Sequence, residues 1–235
     1  LTDLQVAMML LTRIPAGRVD DDPPDLVRAR WAFPFIGGLV GLLIWCAYAV
    51  AVALGAPAMV AALLALASLA MLTGGLHFDG LADYADGIGG GRDKAHTLDI
   101  MRDSRTGSYG ELALILVTAL WVVCVAEVNP GPLAFVGAAV LSRAGMIVLQ
   151  EILSPARVDG LGRRASGRNA PARAIVIALA AVALFVWPLA LITCAAMICF
   201  IGWQAQRKIG GQTGDVLGAA QLISETAIWV TLALL

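Results

Sequence analysis

"PAMVAALLALASLAMLTGGLHFDGLADYADGIGGGRD", residues 57–93, holds both halves of the problem. Its first twenty residues, 57–76, carry no charge, and about 20 apolar residues suffice to cross a bilayer as a helix. Asp79, Asp83 and Asp86 follow at once, and a glycine run, 87–91, closes the stretch. The stretch predicts a membrane span that delivers carboxylates to one membrane face.

The rest of the chain agrees. Of 235 residues, 60% are hydrophobic and only 14% are charged, against about a quarter charged in soluble domains. Apolar runs near 34–54, 57–76, 110–126, 132–150, 172–187, 188–206 and 216–235 predict an all-α, polytopic integral membrane protein of about seven transmembrane helices. The chain is expected to form a single membrane-embedded catalytic domain, 1–235, since no repeat, low-complexity tract or soluble domain interrupts it. Its partners are then the lipid bilayer and small molecules, and no nucleic acid.

The basic residues orient these spans, because Lys and Arg in short loops stay on the cytoplasmic side. Arg13, Arg18, Arg28 and Arg30 precede the first span, and Arg92, Lys94, Arg102 and Arg105 follow the second. Arg157, Arg163, Arg164, Arg168 and Arg173 lie between the fourth and fifth, and Arg207 and Lys208 between the sixth and seventh. Of the 16 basic residues only Arg143 falls inside a span. The acidic loop is therefore expected to face the cytoplasm from the inner membrane. The opening LTDLQVAMMLLTRIP lacks a basic start and a small-residue cleavage site, so it is expected to be an amphipathic helix at the cytoplasmic interface. The four cysteines lie within apolar runs without CxxC spacing and read as small core packers.

On a helix turning about 100° per residue, Asp79, Asp83 and Asp86 share one face. DIMRD, 99–103, puts Asp99 and Asp103 at i and i+4, which predicts a second short acidic helix carrying His96. The glycines of 87–91 would let the chain reverse so that the two stripes face each other. Carboxylates crowded in this way repel unless a cation holds them. An all-oxygen set without cysteine selects a hard divalent ion such as Mg²⁺ or Mn²⁺. Mg²⁺ commonly serves substrate phosphates, and Arg92, Lys94, Arg102 and Arg105 stand among the acids as phosphate partners. The mixture points to phosphoryl transfer at a membrane surface. A loop of merely solvated acids is the plain alternative, and His77 could either act in catalysis or orient a neighbour. The glycine run lacks the GK[ST] of a P-loop. Arg143 and Glu225 are ionisable residues within spans, which calls for a partner; they could pair with each other.

LTRIP (11–15), GGLHFDGLADYADG (74–87), GGRD (90–93), IMRDSRTGSYG (100–110), RVDGLG (157–162) and GGQTGDVLGA (210–219) together resemble the cobalamin synthase family, the adenosylcobinamide-GDP ribazoletransferases. DYADG followed by DIMRD is also loosely similar to the DxxDG and DxxxD halves of the CDP-alcohol phosphotransferase signature, with a shorter gap and without the Ala-Arg that follows the first half. The first resemblance implies Mg²⁺-dependent joining of adenosylcobinamide-GDP to α-ribazole, or its 5′-phosphate, giving adenosylcobalamin, or its phosphate, and GMP. It implies metal binding by Asp79, Asp83, Asp86 and Asp99, and substrate contacts from Arg13, Arg92, Lys94, Arg102, Arg105, Arg157 and Asp215. Catalytic roles fall to Asp99, His77 and Asp103, the last as general base by the looser resemblance. For Asp215 a turn with a helix cap is the competing reading, and for the arginines of 157–164 it is simple topology. A phospholipid-making CDP-alcohol phosphotransferase is the alternative enzyme. A transporter is the alternative outside enzymes, but it would place its carboxylates near the bilayer midplane.

Overall fold

The computed structural model describes residues 2–18, 25–158, 163 and 166–235. Among these the chain is all-helical, with one isolated bridge, Pro155 to Gln212, as its sole β pairing. The helices are α1 (Thr2–Leu11), α2 (Leu26–Ala29), α3 (Phe33–Ala53), α4 (Ala58–Thr73), α5 (Leu76–Gly90), α6 (Lys94–Ile100), α7 (Ser108–Val128), α8 (Pro132–Ile152), α9 (Ala170–Val186), α10 (Pro188–Ile209) and α11 (Gly214–Ala233); a 3₁₀ turn joins α2 to α3.

The apolar runs all became helices, giving the expected all-α polytopic architecture, with a count of clear spans among the described residues slightly below the expected seven. Five helical stretches, 26–53, 108–128, 132–152, 188–209 and 214–233, are long and apolar enough to cross a membrane alone. A sixth exists if α4 and α5 are taken together across a 91° bend. The bend has a local cause: Gly74 and Gly75 both adopt left-handed conformations, φ 63° and 74°, which glycine enters without steric cost. We read α4 as the spanning part and α5 as lying across its end, outside the spans. The apolar α9, at 17 residues, is the shortest of the long apolar helices after α4, because Trp187, at φ −141° and ψ 66°, leaves the helix before Pro188 starts the next one. Pro is well suited to a first turn, where its missing N–H costs nothing.

Small residues let the helices pack closely, as association within a bilayer requires. Gly37 and Gly41 of α3, one GxxxG step apart, abut the backbone of Ala139 and Phe135 on α8. Deeper in the bundle, Phe135 lies 5.0 Å from Trp229, and Trp121 5.9 Å from Trp229, all edge-on.

Buried ions are paired, as a low-dielectric interior demands. The expected partnership of Arg143 and Glu225 is observed: Arg143 Nη1 lies 3.1 Å from Glu225 Oε2, and both side chains are inaccessible to solvent. Gln221, Ser142 and Trp121 also donate to Glu225, so the pair clamps α8 to α11 with α7 attached. A second pair, Arg30 with Glu151 at 2.8 Å, fastens the N-terminal segment to the end of α8.

The candidate active site

Two glycines build the site. Gly80 of α5 and Gly218 of α11 face each other so closely that a Cβ on Gly80 would lie 3.1 Å from the Gly218 Cα. That crossing lays the acidic helix directly on the start of α11. Asp79 and Asp83, one turn apart on α5, thereby come under the electrostatic influence of Asp215, in the first turn of α11.

Asp215 Oδ2 accepts a hydrogen bond from the Thr213 hydroxyl at 3.1 Å and lies 3.4 Å from Arg157 Nη1. Thr213 itself caps α11 by accepting from the Val216 N–H. The cap expected as the plain reading of this segment is thus real, but Thr213 supplies it and leaves Asp215 to the site. Arg157 also donates to the Leu98 carbonyl at 3.1 Å, tying α6 to the carboxylates. Of the motif 157–162 only Arg157 and Val158 lie within the described residues.

The charge balance of this cluster is visible in Asp83. Its pKa is raised to about 7, first by burial and then by the negative charges of Asp79, Asp215 and Asp86, against which Arg157 pulls the other way. A half-buried carboxylate that holds a proton near neutrality marks a place where positive charge is missing.

The other expected acids lie elsewhere. Asp86 is buried, and its two oxygens accept from Gly107 N–H at 2.7 Å and Gly110 N–H at 2.9 Å. It therefore neutralises the exposed amides at the start of α7, a favourable place for a carboxylate, and holds α5 against that span. Half of the acceptor capacity of Asp86 is thus already committed to the backbone of α7.

The second acidic helix is corrected as well. α6 ends at Ile100, so Asp103 lies beyond it. Arg105 grips Asp103 with contacts of 2.7–3.2 Å, and these hydrogen bonds lower its pKa to about 2. So acidic a carboxylate is a poor proton acceptor at neutral pH. Asp99 is exposed, and neither it nor Asp103 figures among the charges that act on Asp83. The charge cluster is therefore drawn from α5 and α11 and not from the α6 segment.

Of the glycines of 87–91, Gly87, Gly89 and Gly90 stay helical, and only Gly91, at φ −73° and ψ 125°, belongs to the bend that leads back into α6. Their role is close packing. Met101 presses on Gly87, the Tyr109 ring on Gly89 and Thr97 on Gly91.

Among the expected substrate contacts, Arg92, Lys94, Arg102 and Arg105 are exposed around α6, with Arg105 committed to Asp103. Arg13 has a better placed role. Its N–H donates to Leu72 O at 2.7 Å, and its side chain lies over Gly74, where a Cβ would collide with it. Together with Thr12, Thr73, Thr106 and Asp79 it lines an open cavity of about 620 Å³.

His77 borders two of the carboxylates without figuring among the charges that act on Asp83. It is buried at 1% exposure and lines a second, smaller cavity with Asp79, Asp215 and Gln150. Burial and the charge of Arg143 hold its pKa well below the ordinary value, which keeps the ring neutral. Gln150 and the Gly80–Gly218 crossing went unmarked in the sequence. A lone glutamine in an apolar span was a usable signal; the glycine contact becomes visible only in three dimensions.

The fold and the site thus define a polytopic membrane enzyme with a carboxylate cluster at one end of its helix bundle. The chain belongs to the cobalamin-5-phosphate synthase family, whose sequence profile matches residues 3–233. It is similar to proteins named adenosylcobinamide-GDP ribazoletransferase from Bradyrhizobium diazoefficiens, 42% identical over 99% of this chain and 94% of that protein, and from Azorhizobium caulinodans, 40% identical over 97% and 93%. A third so named, from Xanthobacter autotrophicus, is 42% identical over 94% and 92%. No solved structure matches the chain significantly.

Proposed function

We propose that this chain joins adenosylcobinamide-GDP to α-ribazole, or to its 5′-phosphate, with release of GMP, and that Asp79 and Asp83 hold a divalent cation, Mg²⁺, for the reaction. The observation that carries the cation is the raised pKa of Asp83 among Asp79, Asp215 and Asp86, a cluster short of positive charge. Among the described residues no group of three or more His, Cys, Asp or Glu is assembled to hold a metal by itself. That suits Mg²⁺, which keeps several waters and is typically bound by one or two carboxylates plus substrate phosphates. When bound, the ion would neutralise pyrophosphate charge and the charge growing on the leaving phosphate.

The protein's own residues supply position. Arg13, exposed and without an ion-pair partner among the described residues, faces the larger cavity beside Asp79 and is placed to grip phosphate oxygens. Arg157 holds Asp215 in place from the α6 side. A ribose hydroxyl of the acceptor attacks the phosphorus on the corrinoid side of the pyrophosphate; the P–O bond to GMP breaks, and the hydroxyl proton passes to the surrounding carboxylates or water. Because the transition state of such transfers is loose, orientation and charge neutralisation matter more than a strong base. Asp103 is therefore reassigned from base to anchor of the loop through Arg105. Cytoplasmic orientation of this face in the inner membrane is part of the proposal, supported by the clustering of Lys and Arg in the loops on the site side.

The test uses purified protein in detergent with Mg²⁺. GMP release from adenosylcobinamide-GDP that depends on α-ribazole is the expected result, with no CMP formed from CDP-diacylglycerol and an alcohol. CMP release without GMP release would overturn the assignment in favour of a CDP-alcohol phosphotransferase.

A further inference from the structure

The smaller cavity beside the carboxylates has a composition that the proposed chemistry does not use. It encloses about 240 Å³ between α1, α5, α8 and α11, with Leu26 of α2 and Phe33 of α3 on its wall. Its walls include Leu11, Phe33 and Met146, and Asp79 and Asp215 stand on its lining. Two further polar residues reach it: His77, 1% exposed, and Gln150, 3% exposed. Neither ring nitrogen of His77 nor Oε1 of Gln150 has a hydrogen-bond partner among the described residues.

Orphaned polar atoms in such a place are costly. Both residues line the cavity, so a ligand that entered it and drew their side chains slightly toward it would relieve that cost. An imidazole ring always has at least one N–H to donate, and an amide oxygen accepts. The matching occupant is a flat, largely apolar group with a ring nitrogen that accepts from His77 and a hydroxyl or N–H that reaches Gln150. The size is informative too, since pockets for whole drug-sized ligands run from about 300 to 1,000 Å³. This one suits a single fused ring system with part of its sugar. Phosphate is disfavoured, because the cavity is lined by two carboxylates and by no Lys or Arg.

Asp79 lines both cavities. A group in the inner one and a pyrophosphate in the outer one therefore meet at the same carboxylate, as two substrates of a transfer must.

We propose that the inner cavity binds the heteroaromatic base of the acceptor nucleoside, with His77 and Gln150 as the residues that recognise it. This rests on the reaction proposed above. The guanine of the donor fits less well: its edge carries several donors and acceptors, and the walls here are mainly aliphatic and aromatic.

The experiment measures equilibrium binding of α-ribazole and of GMP, separately, to the full-length protein in detergent, for wild type, Gln150→Leu and His77→Phe. Each substitution is expected to weaken α-ribazole binding about tenfold, as the loss of one buried hydrogen bond implies, and to raise the acceptor KM in parallel, with kcat and donor KM moving far less. As a check independent of these variants, a Met146→Cys protein should be alkylated at that position more slowly with α-ribazole present and at an unaltered rate with GMP. Unchanged α-ribazole binding in both variants overturns the proposal, and so does protection of Cys at 146 by GMP instead. Because binding is read without turnover, a wild-type protein that binds α-ribazole in this cavity yet releases no GMP would sink the reaction and leave the cavity assignment standing.

Discussion

Replacing Asp83 with Asn should stabilise the metal-free protein at alkaline pH, although a carboxylate at the heart of an active site is being removed. The folded-state pKa of Asp83 is about 7 against an ordinary 3.8, roughly 3 units, and at 1.36 kcal/mol per unit the ceiling is about 4 kcal/mol. Asp83 is only half-buried, so solvent screening reduces this to about 1–2 kcal/mol. The sign follows from proton binding. Between about pH 4 and pH 7 the folded protein holds a proton on Asp83 that the unfolded chain has lost, so this group's contribution is full below about pH 4 and vanishes as pH rises through 7. Asn cannot ionise and escapes the loss. Thermal unfolding in detergent with EDTA should therefore show the two proteins close at pH 5, and Asp83→Asn ahead by about 1–2 kcal/mol at pH 8. Millimolar Mg²⁺ should reverse the order at pH 8, because an ion that binds only the folded state stabilises it in proportion to RT ln(1 + [L]/Kd). An Asp83→Asn protein less stable than wild type at pH 8 in EDTA would refute the charge-deficit reasoning. A reversal that fails to appear would remove Asp83 from the metal site.

Asp103→Asn should leave the turnover number within a few-fold of wild type, since that carboxylate is already neutralised by Arg105; a loss of a hundredfold or more in GMP release would restore it as the base. Arg143→Ala strands Glu225 in the bundle and should cost about 3–5 kcal/mol, whereas Arg143→Met combined with Glu225→Leu should recover much of it, as read by chemical denaturation in mixed micelles. Gly80→Val drives a branched side chain toward the Gly218 backbone and should cost about 1–3 kcal/mol by overpacking. Because it separates Asp79 and Asp83 from Asp215, GMP release should fall by much more than the stability loss explains.

The residues legible in the sequence were those whose role depends on local pattern. Apolar runs found every membrane helix, because crossing a bilayer leaves little choice of composition. What they did not reveal was where a single backbone event bends the chain, as the two left-handed glycines at 74 and 75 do between α4 and α5. Periodicity put Asp79, Asp83 and Asp86 on one helix, and they are. It could not tell which of the three was spoken for, because Asp86 is claimed by amides more than twenty residues away, at Gly107 and Gly110. The same limit explains Asp99 and Asp103. Their i, i+4 spacing described a helix that α6 ends too early to include, and Arg105 offered Asp103 a nearer partner than any substrate.

Asp215 shows how the site was completed. It lies more than 130 residues after Asp83, and it reaches the cluster because glycines occupy both sides of the α5–α11 crossing. A side chain at either position would press on the facing backbone, and a branched one would push the helices apart. The motifs around 80 and 218 are therefore two halves of one contact, and the acidic residues beside them form a site only because the glycines allow the backbones to touch. Catalytic chemistry here is written in the aspartates, but its assembly depends on residues that carry no chemistry at all.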